Sequence, residues 1–374
     1  MKVAPFIKAI RSYNNINGNT IEHHLVHTGQ HYDDRMSKAF FEQLEIPEAD
    51  INLGIGSGTH AEQVGYTMIE FEKVLKELKP DWVVVVGDVN AILACSVTAK
   101  KEHILCCHIE AGLRSGDLKM PEEINRLVAD RISDLLLTPD QISTENLKKE
   151  GIPDHKITFT GNIMIDTLEN NRAKAENLSV ADILQKNSVK GLTKNLSGIS
   201  DNIKYALMTL HRPSNVDHRD VLQPIVRFII DEVCNELPLI WTVHPRTRKM
   251  LETYGLLDEI SSQRNIIMLE PIGYLEMLKL NMNARVILTD SGGLQEECTV
   301  LGTPCLTLRW NTERPVTLKE HGGASVLVGN NIELIRREFF EALLKQRNPV
   351  RPMLWDGHAA ERCLKAIIEY NNFS

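Results

Sequence analysis

The sequence predicts an α/β protein built from two doubly wound, Rossmann-like domains facing a cleft, and three observations carry that expectation. At 374 residues the chain is longer than one ordinary core accommodates, so two domains of roughly 150 to 190 residues are expected. Short apolar, β-branched runs recur along it, each followed by a turn and a longer amphipathic stretch, which is the rhythm of βαβ units in parallel sheets. A polar interval over residues 176–202, with scattered Ser, Asn, Lys and Gly, separates the runs into two sets.

In the first set the strand candidates are 20–28, 82–86, 104–109, 134–138 and 156–160. The second comprises 204–210, 237–243, 265–269, 285–289, 304–308 and 324–328. These place the first domain at 1–167 and the second at 168–356, with Gly161-Asn162 as a hinge. The amphipathic segment 357–374 has no strand after it and is expected to pack back on the first domain. Ligands of such sheets bind beyond the carboxyl ends of the strands, so functional residues are sought just after each apolar run.

Composition narrows the function. Net charge is −8 with no Lys/Arg block, which argues against nucleic-acid or membrane-surface partners. Seven cysteines form an odd set without a CxxC pair, as expected of reduced thiols in a cytoplasmic protein. No run is long enough to span a bilayer, and no histidine spacing matches a metal-ligand motif. No metal is implied.

Three acidic sites follow apolar runs in the first half. Asp88 ends Val83-Val84-Val85-Val86-Gly87; its plainer role is an N-cap for the helix that follows. Glu110 ends the next strand and, on the plainer reading, bridges to Arg114. Glu122 lies in Pro121-Glu122-Glu123, where acids also complement a helix dipole. Carboxylates converging on one cleft would raise at least one pKa into the range of general acid/base work.

Nucleotide and diphosphate contacts are expected from the second half. Val286-Ile287-Leu288-Thr289 drops into Asp290-Ser291-Gly292-Gly293 and then a helix start, whose N–H groups suit a phosphate and whose Glu297 is placed for ribose hydroxyls. The alternative is a tight βα turn and nothing more. His211-Arg212 and His244-Pro245-Arg246 each follow a strand, and Arg314 stands in the loop after 304–308; strand-end histidines with adjacent arginines suit a diphosphate, although a lone histidine there is more often structural.

Gly87-Asp88, His108-Ile109-Glu110-Ala111-Gly112-Leu113-Arg114, Met120-Pro121-Glu122-Glu123-Ile124-Asn125-Arg126, Leu210-His211-Arg212, Val243-His244-Pro245, the Asp290 to Glu297 junction and Thr312-Glu313-Arg314-Pro315 together, in this order, closely resemble the non-hydrolysing UDP-N-acetylglucosamine 2-epimerases. The resemblance implies a glycosyltransferase-B-like fold, conversion of UDP-GlcNAc to UDP-ManNAc for polysaccharide biosynthesis, a homodimer, and chemistry without redox cofactor or metal. It assigns catalysis to Asp88, Glu110, Glu122 and His211, and UDP binding to His244, Ser291, Gly292, Gly293, Glu297, Arg309 and Arg314. More weakly, it puts Gln30, His31 and Gln63 at a second, activating UDP-GlcNAc. The implied reaction eliminates UDP to 2-acetamidoglucal and adds it back on the other face of the sugar.

The chain departs from that family at its start. Members open with an apolar strand and an arginine-bearing turn before Ile-Lys-x-x-Pro, whereas Met1-Lys2-Val3-Ala4-Pro5 begins inside the helix. Loss of four buried apolar side chains at roughly 1.5 to 3 kcal/mol each would take about 6 to 12 kcal/mol from the first sheet. The expectation is therefore that the natural polypeptide starts upstream, and that without that strand UDP binding and activity are weak. Met277, where many relatives carry an aromatic near uracil, is a smaller departure. Competing readings are a UDP-2,3-diacetamido-uronate 2-epimerase, a retaining glycosyltransferase, a hydrolysing epimerase, and an inactive nucleotide-sugar-binding protein.

Overall fold

The computed structural model describes residues 1–29, 41–189, 191 and 200–371. It divides into two compact units, one formed by Met1–Asn170 with Pro352–Ser374 and the other by Asn171–Arg351. Both are parallel α/β units, so the two-domain, Rossmann-like class expected from the apolar rhythm is the class observed.

In the first unit β3 (Trp82–Val86), β4 (Leu105–Ile109), β5 (Leu135–Thr138) and β6 (Ile157–Phe159) lie side by side in chain order, all parallel. The helices Asn90–Lys101, Pro121–Ile132 and Gln141–Lys149 make the crossovers. Alternate residues face opposite sides. Cys107, Ile109, Leu135 and Leu137 pack on Phe6 and Ile10 of the helix Val3–Asn17 and on Cys363, Leu364 and Ile367 of the final helix Ala359–Asn371. On the opposite face, Val83, Val85 and Cys106 meet Phe71, Val74, Leu75 and Ile92. The neighbours Cys106 and Cys107 thus belong to different core faces, and burial pushes both thiols up. All seven cysteines are free and buried.

Two departures from expectation lie at the start of this unit. Of the run 20–28, only β1 (Val26–His27) pairs, and its partner is β2 (Ile51–Asn52), too short to stand out as an apolar run. They form a two-stranded sheet separate from the four-stranded one.

The second unit has six parallel strands, β7 (Ala206–Thr209), β8 (Leu239–Thr242), β9 (Ile266–Leu269), β10 (Val286–Thr289), β11 (Cys305–Thr307) and β12 (Ser325–Leu327). Their order across the sheet is β12-β11-β10-β7-β8-β9. The chain builds outward from β7 to β9, returns to the other side of β7, and builds outward again from β10 to β12. Loops leaving β7 and β10 diverge at this reversal, which is where such sheets open a crevice. Residues 206 and 208 face one core cluster with Trp241 and Leu288, while 205 and 207 face another with Ile240 and Ile287. The polar interval is more than a linker. Ser179 caps the helix Val180–Asn187, and Val180, Ile183 and Leu184 are buried in the second cluster; three apolar residues among polar ones gave too little periodicity to show a helix. Met277 packs at the margin of the same cluster.

Gly161 lies inside the first unit and is explained by packing. At φ +86°, an added Cβ would fall 2.1 Å from the Leu354 carbonyl oxygen of the returning segment. Gly161→Ala is expected to destabilise the protein by about 2 to 4 kcal/mol. The check is thermal melting, and an unchanged midpoint would contradict the contact.

Candidate functional site

The candidate residues form two groups, one on each unit. In the first unit, Asp88, Glu110 and Glu122 follow β3, follow β4 and open the helix Pro121–Ile132. Asp88 does not cap the helix Asn90–Lys101, whose N-cap is Val89. Its carboxylate instead accepts from Arg126 Nη1 at 2.6 Å, and its carbonyl accepts from Asn125 Nδ2 at 2.9 Å. Glu110 is buried at φ +76°, and its ion-pair partner is Lys2. The bridge from Glu110 to Arg114 does not form: Arg114 pairs with Asp130 at 2.7 Å and grips Glu150 through Nε and Nη2 at 2.7 and 2.8 Å.

Pro121 at the first helical position leaves Glu122 and Glu123 in the first turn, and the two acids have different fates. Glu123 turns inward and accepts from Ser115 N, Gly116 N and Arg126. Burial works against its charge, but these donors hold its carboxyl below the ordinary range. Glu122 is half-buried, and among the described contacts its carboxylate has no partner. Gln63 accepts from Asn90 Nδ2 at 2.8 Å. Gln30 and His31 lie outside the described residues.

The second group sits at the reversal between β7 and β10. Asp290, wholly buried after β10, accepts from His211 Nδ1 at 2.8 Å, from the backbone N–H groups of His211 and Arg212, and from Asn215 Nδ2 at 3.1 Å. Burial opposes its ionisation, yet the His211 ring and those N–H groups hold its carboxyl below the usual range. With Nδ1 committed to Asp290, the partly exposed His211 ring has Nε2 for a ligand. The His244 ring lies 5.6 Å from that of His211; burial and the neighbouring imidazole depress its pKa. Arg246 is taken by Asp217 at 2.6 Å rather than standing beside His244 as a diphosphate contact.

Ser291 is the N-cap of the helix Gly292–Leu301 and makes no side-chain cap bond, so the first N–H groups at Gly292 and Gly293 are not met by its hydroxyl. Gly292 has a steric reason: a Cβ there would lie 2.7 Å from Arg314 Nη1 and 3.0 Å from Glu313 Oε1. The loop 309–314 is bound to this helix by Arg314–Glu296 at 2.9 Å and Thr312–Gln295 at 2.9 Å, and Arg309 holds Glu313 at 2.7 Å. Burial resists charge on Glu313, but Arg314 and Arg309 keep its carboxyl far below the ordinary range. Arg309 and Arg314 are thus buried framing groups whose charge is met by Glu313 and Glu296. Glu297 is different. Burial pushes its carboxyl up to about 7 against hydrogen bonds from Tyr274 and Asn281, and among the described residues no cation offsets it.

Sequence reasoning missed Lys2, Arg126 and Asp290 as functional groups. Asp290 could have been found, because an aspartate ending a fully apolar strand needs a partner and His211 ends the neighbouring strand. No local signal connects Lys2 to Glu110 across a separation of 108 residues. Among the described residues there is no His/Cys/Asp/Glu group able to hold a metal ion and no helix long and apolar enough to cross a membrane.

The parallel two-unit architecture, with a phosphate-type helix start at one switch point, defines a Rossmann-like enzyme of the glycosyltransferase-B-like class. A family model described as UDP-N-acetylglucosamine 2-epimerase matches residues 14–368. The UDP-N-acetylglucosamine 2-epimerase of Methanocaldococcus jannaschii is 44% identical over 374 residues, covering 100% of this chain and 96% of that one. Its crystal structure in complex with UDP-GlcNAc and UDP superposes with a TM-score of 0.86 at 42% identity, covering 99% and 96% of the two chains. The Neisseria meningitidis UDP-GlcNAc 2-epimerase bound to UDP-GlcNAc gives 0.84 at 30% identity, covering 98% and 96%. The chain belongs to the UDP-N-acetylglucosamine 2-epimerase family.

Glu297 gives a pH test of this geometry. Its folded pKa of about 7 exceeds the ordinary 4.5, so the folded protein keeps the proton longer than the unfolded chain. The penalty is absent below 4.5, grows between the two values and is complete above 7, reaching roughly 3 kcal/mol at most. Glu297→Gln is expected to raise the melting temperature clearly at about pH 8 and far less at about pH 5. Equal shifts at both would refute the assignment.

Proposed function

We propose that this chain interconverts UDP-N-acetylglucosamine and UDP-N-acetylmannosamine by inversion at C2 of the sugar. The observation that carries the reading is the pair of neighbouring strand ends, β3 and β4, that terminate in Asp88 and Glu110 with Glu122 opening the next helix, in a chain whose other unit has the nucleotide-type helix start. A relative 42% identical was solved with UDP-GlcNAc and UDP, which supports the same ligand class here.

In the proposed mechanism the second unit holds UDP. N–H groups at Gly292 and Gly293 take the diphosphate, Glu297 the ribose hydroxyls, and His211, fixed by Asp290, meets the departing phosphate oxygen. The C2 proton has no adjacent carbonyl to acidify it, so the C1–O bond must break with or before its removal. Glu122, the carboxylate with no described partner, takes the proton. The C–H electrons form the C1–C2 double bond, and the C1–O electrons leave with UDP, giving 2-acetamidoglucal. Asp88 and Glu110 place negative charge near the oxocarbenium-like centre. Addition of the phosphate oxygen back to C1, with a solvent-derived proton delivered to the opposite face of C2 by an acid other than Glu122, completes the inversion with no net redox change.

A second reading keeps this chemistry on UDP-2,3-diacetamido-2,3-dideoxy-D-glucuronate. It is favoured by a Pseudomonas aeruginosa relative named as that 2-epimerase, 38% identical over 370 residues. Proton NMR with UDP-GlcNAc in deuterated water decides between them. Deuterium at C2 with a new UDP-sugar anomeric signal is expected; free ManNAc would indicate hydrolysis, and an unchanged spectrum would reject UDP-GlcNAc as substrate. Glu122→Gln is expected to lower kcat by roughly 10² to 10⁴ while leaving UDP affinity nearly unchanged. Full activity in that variant would remove Glu122 from the proposed role.

A further inference from the structure

We infer that His108 is held as an imidazolium and acts as a positioning residue, tying the peptide that precedes Asp88 to the helix that carries Glu122. The charge state follows from geometry alone; only its kinetic consequence rests on the proposed epimerase function.

His108 lies in β4, two residues before Glu110 and opposite Val85 of β3, and its side chain is wholly buried. Nε2 is 2.8 Å from the carbonyl oxygen of Gly87, and Nδ1 is 2.6 Å from Asp130 Oδ1. A backbone carbonyl has no proton to donate. Asp130 also accepts from Gly112 N at 3.0 Å and from Arg114 Nη1 at 2.7 Å, an environment that suits a carboxylate. Burial alone would favour its neutral form, but His108 and Arg114 outweigh it and hold the Asp130 carboxyl below the ordinary range. Both ring nitrogens therefore face acceptors. A neutral imidazole, in either tautomer, would set one ring lone pair against another inside the core, and only the doubly protonated ring satisfies both contacts.

The charged groups around the ring agree with this. Asp130 comes from the helix Pro121–Ile132, Arg114 from the loop after β4, and Glu110 from the end of β4 with Lys2 of the first helix beyond it. Burial opposes charge on His108; Asp130, the Gly87 carbonyl and Glu110 overcome it and raise the pKa above its ordinary value.

Gly87, at φ +87°, makes the left-handed turn that ends β3, and the bond from His108 fixes the plane of the peptide joining it to Asp88. Asn125 and Arg126 hold Asp88 itself, and they belong to the same helix as Asp130. Strand end and helix are thus joined at three places, one of them through the His108 ring. The clamp is intact at low pH and is released as pH rises through the raised folded pKa.

The test uses the full chain labelled with ¹⁵N-histidine. Long-range proton–nitrogen NMR is expected to show both His108 ring nitrogens protonated at a pH where an exposed histidine has lost one proton. One nitrogen at the shift of an unprotonated ring overturns the inference. This arm needs no catalytic activity, so failure of the epimerase reading leaves it standing, and assignment through the ring's own Cβ needs no variant. In the kinetic arm, His108→Gln is expected to lower kcat roughly ten- to hundredfold with KM nearly unchanged, and to abolish the alkaline limb of the kcat profile. Unchanged kcat, or an alkaline limb that persists in the variant, overturns it.

Discussion

A carboxylate placed just past a buried or half-buried strand has mainly the protein to hold its charge, and this chain repeatedly ends strands that way. The effective cost of such burial is several kcal/mol per ion, so each group needs a partner or must give up its charge. Asp290 finds His211 and two backbone N–H groups; Glu110 finds Lys2; Asp88 finds Arg126. Every partner comes from another element, so meeting the electrostatic demand also fixes strand ends to helices. The directionality needed for chemistry is obtained by the same contacts that make the charges tolerable.

The neighbours Glu296 and Glu297 show the choice most clearly. They occupy consecutive positions in one helix and therefore point about a quarter-turn apart. Glu296 meets Arg314, whereas Glu297 is directed among Tyr274 and Asn281 without a cation. The first acts as framework, holding the loop 309–314 against the helix. The second is kept at a cost in stability.

Much of this was legible in the amino-acid order. Apolar runs in both halves marked the longer strands, because a parallel strand buried on both faces must be apolar throughout. The carboxylates and histidines stood out because they interrupt such runs at their ends. What escaped was non-local or weakly periodic. The helix Val180–Asn187 buries only three large apolar residues, and β1 and β2 contain two residues each. Glu123 read as an acid complementing the helix dipole, and nothing local tied Arg126 to Asp88, 38 residues away, until the fold brought them together. Asp290 and His211 are 79 residues apart, and only the reversed strand order makes their strands neighbours.

The division of the chain has a further consequence for how the molecule is made. The second unit, Asn171–Arg351, is inserted within the first, whose final helix arrives only at the C-terminus. On the ribosome, the second unit can therefore complete its core while the first still lacks Cys363, Leu364 and Ile367 against Cys107 and Leu137. Until the helix Ala359–Asn371 emerges, that sheet face has only Phe6 and Ile10 of the first helix to cover it, reversing the usual order in which the N-terminal domain finishes first.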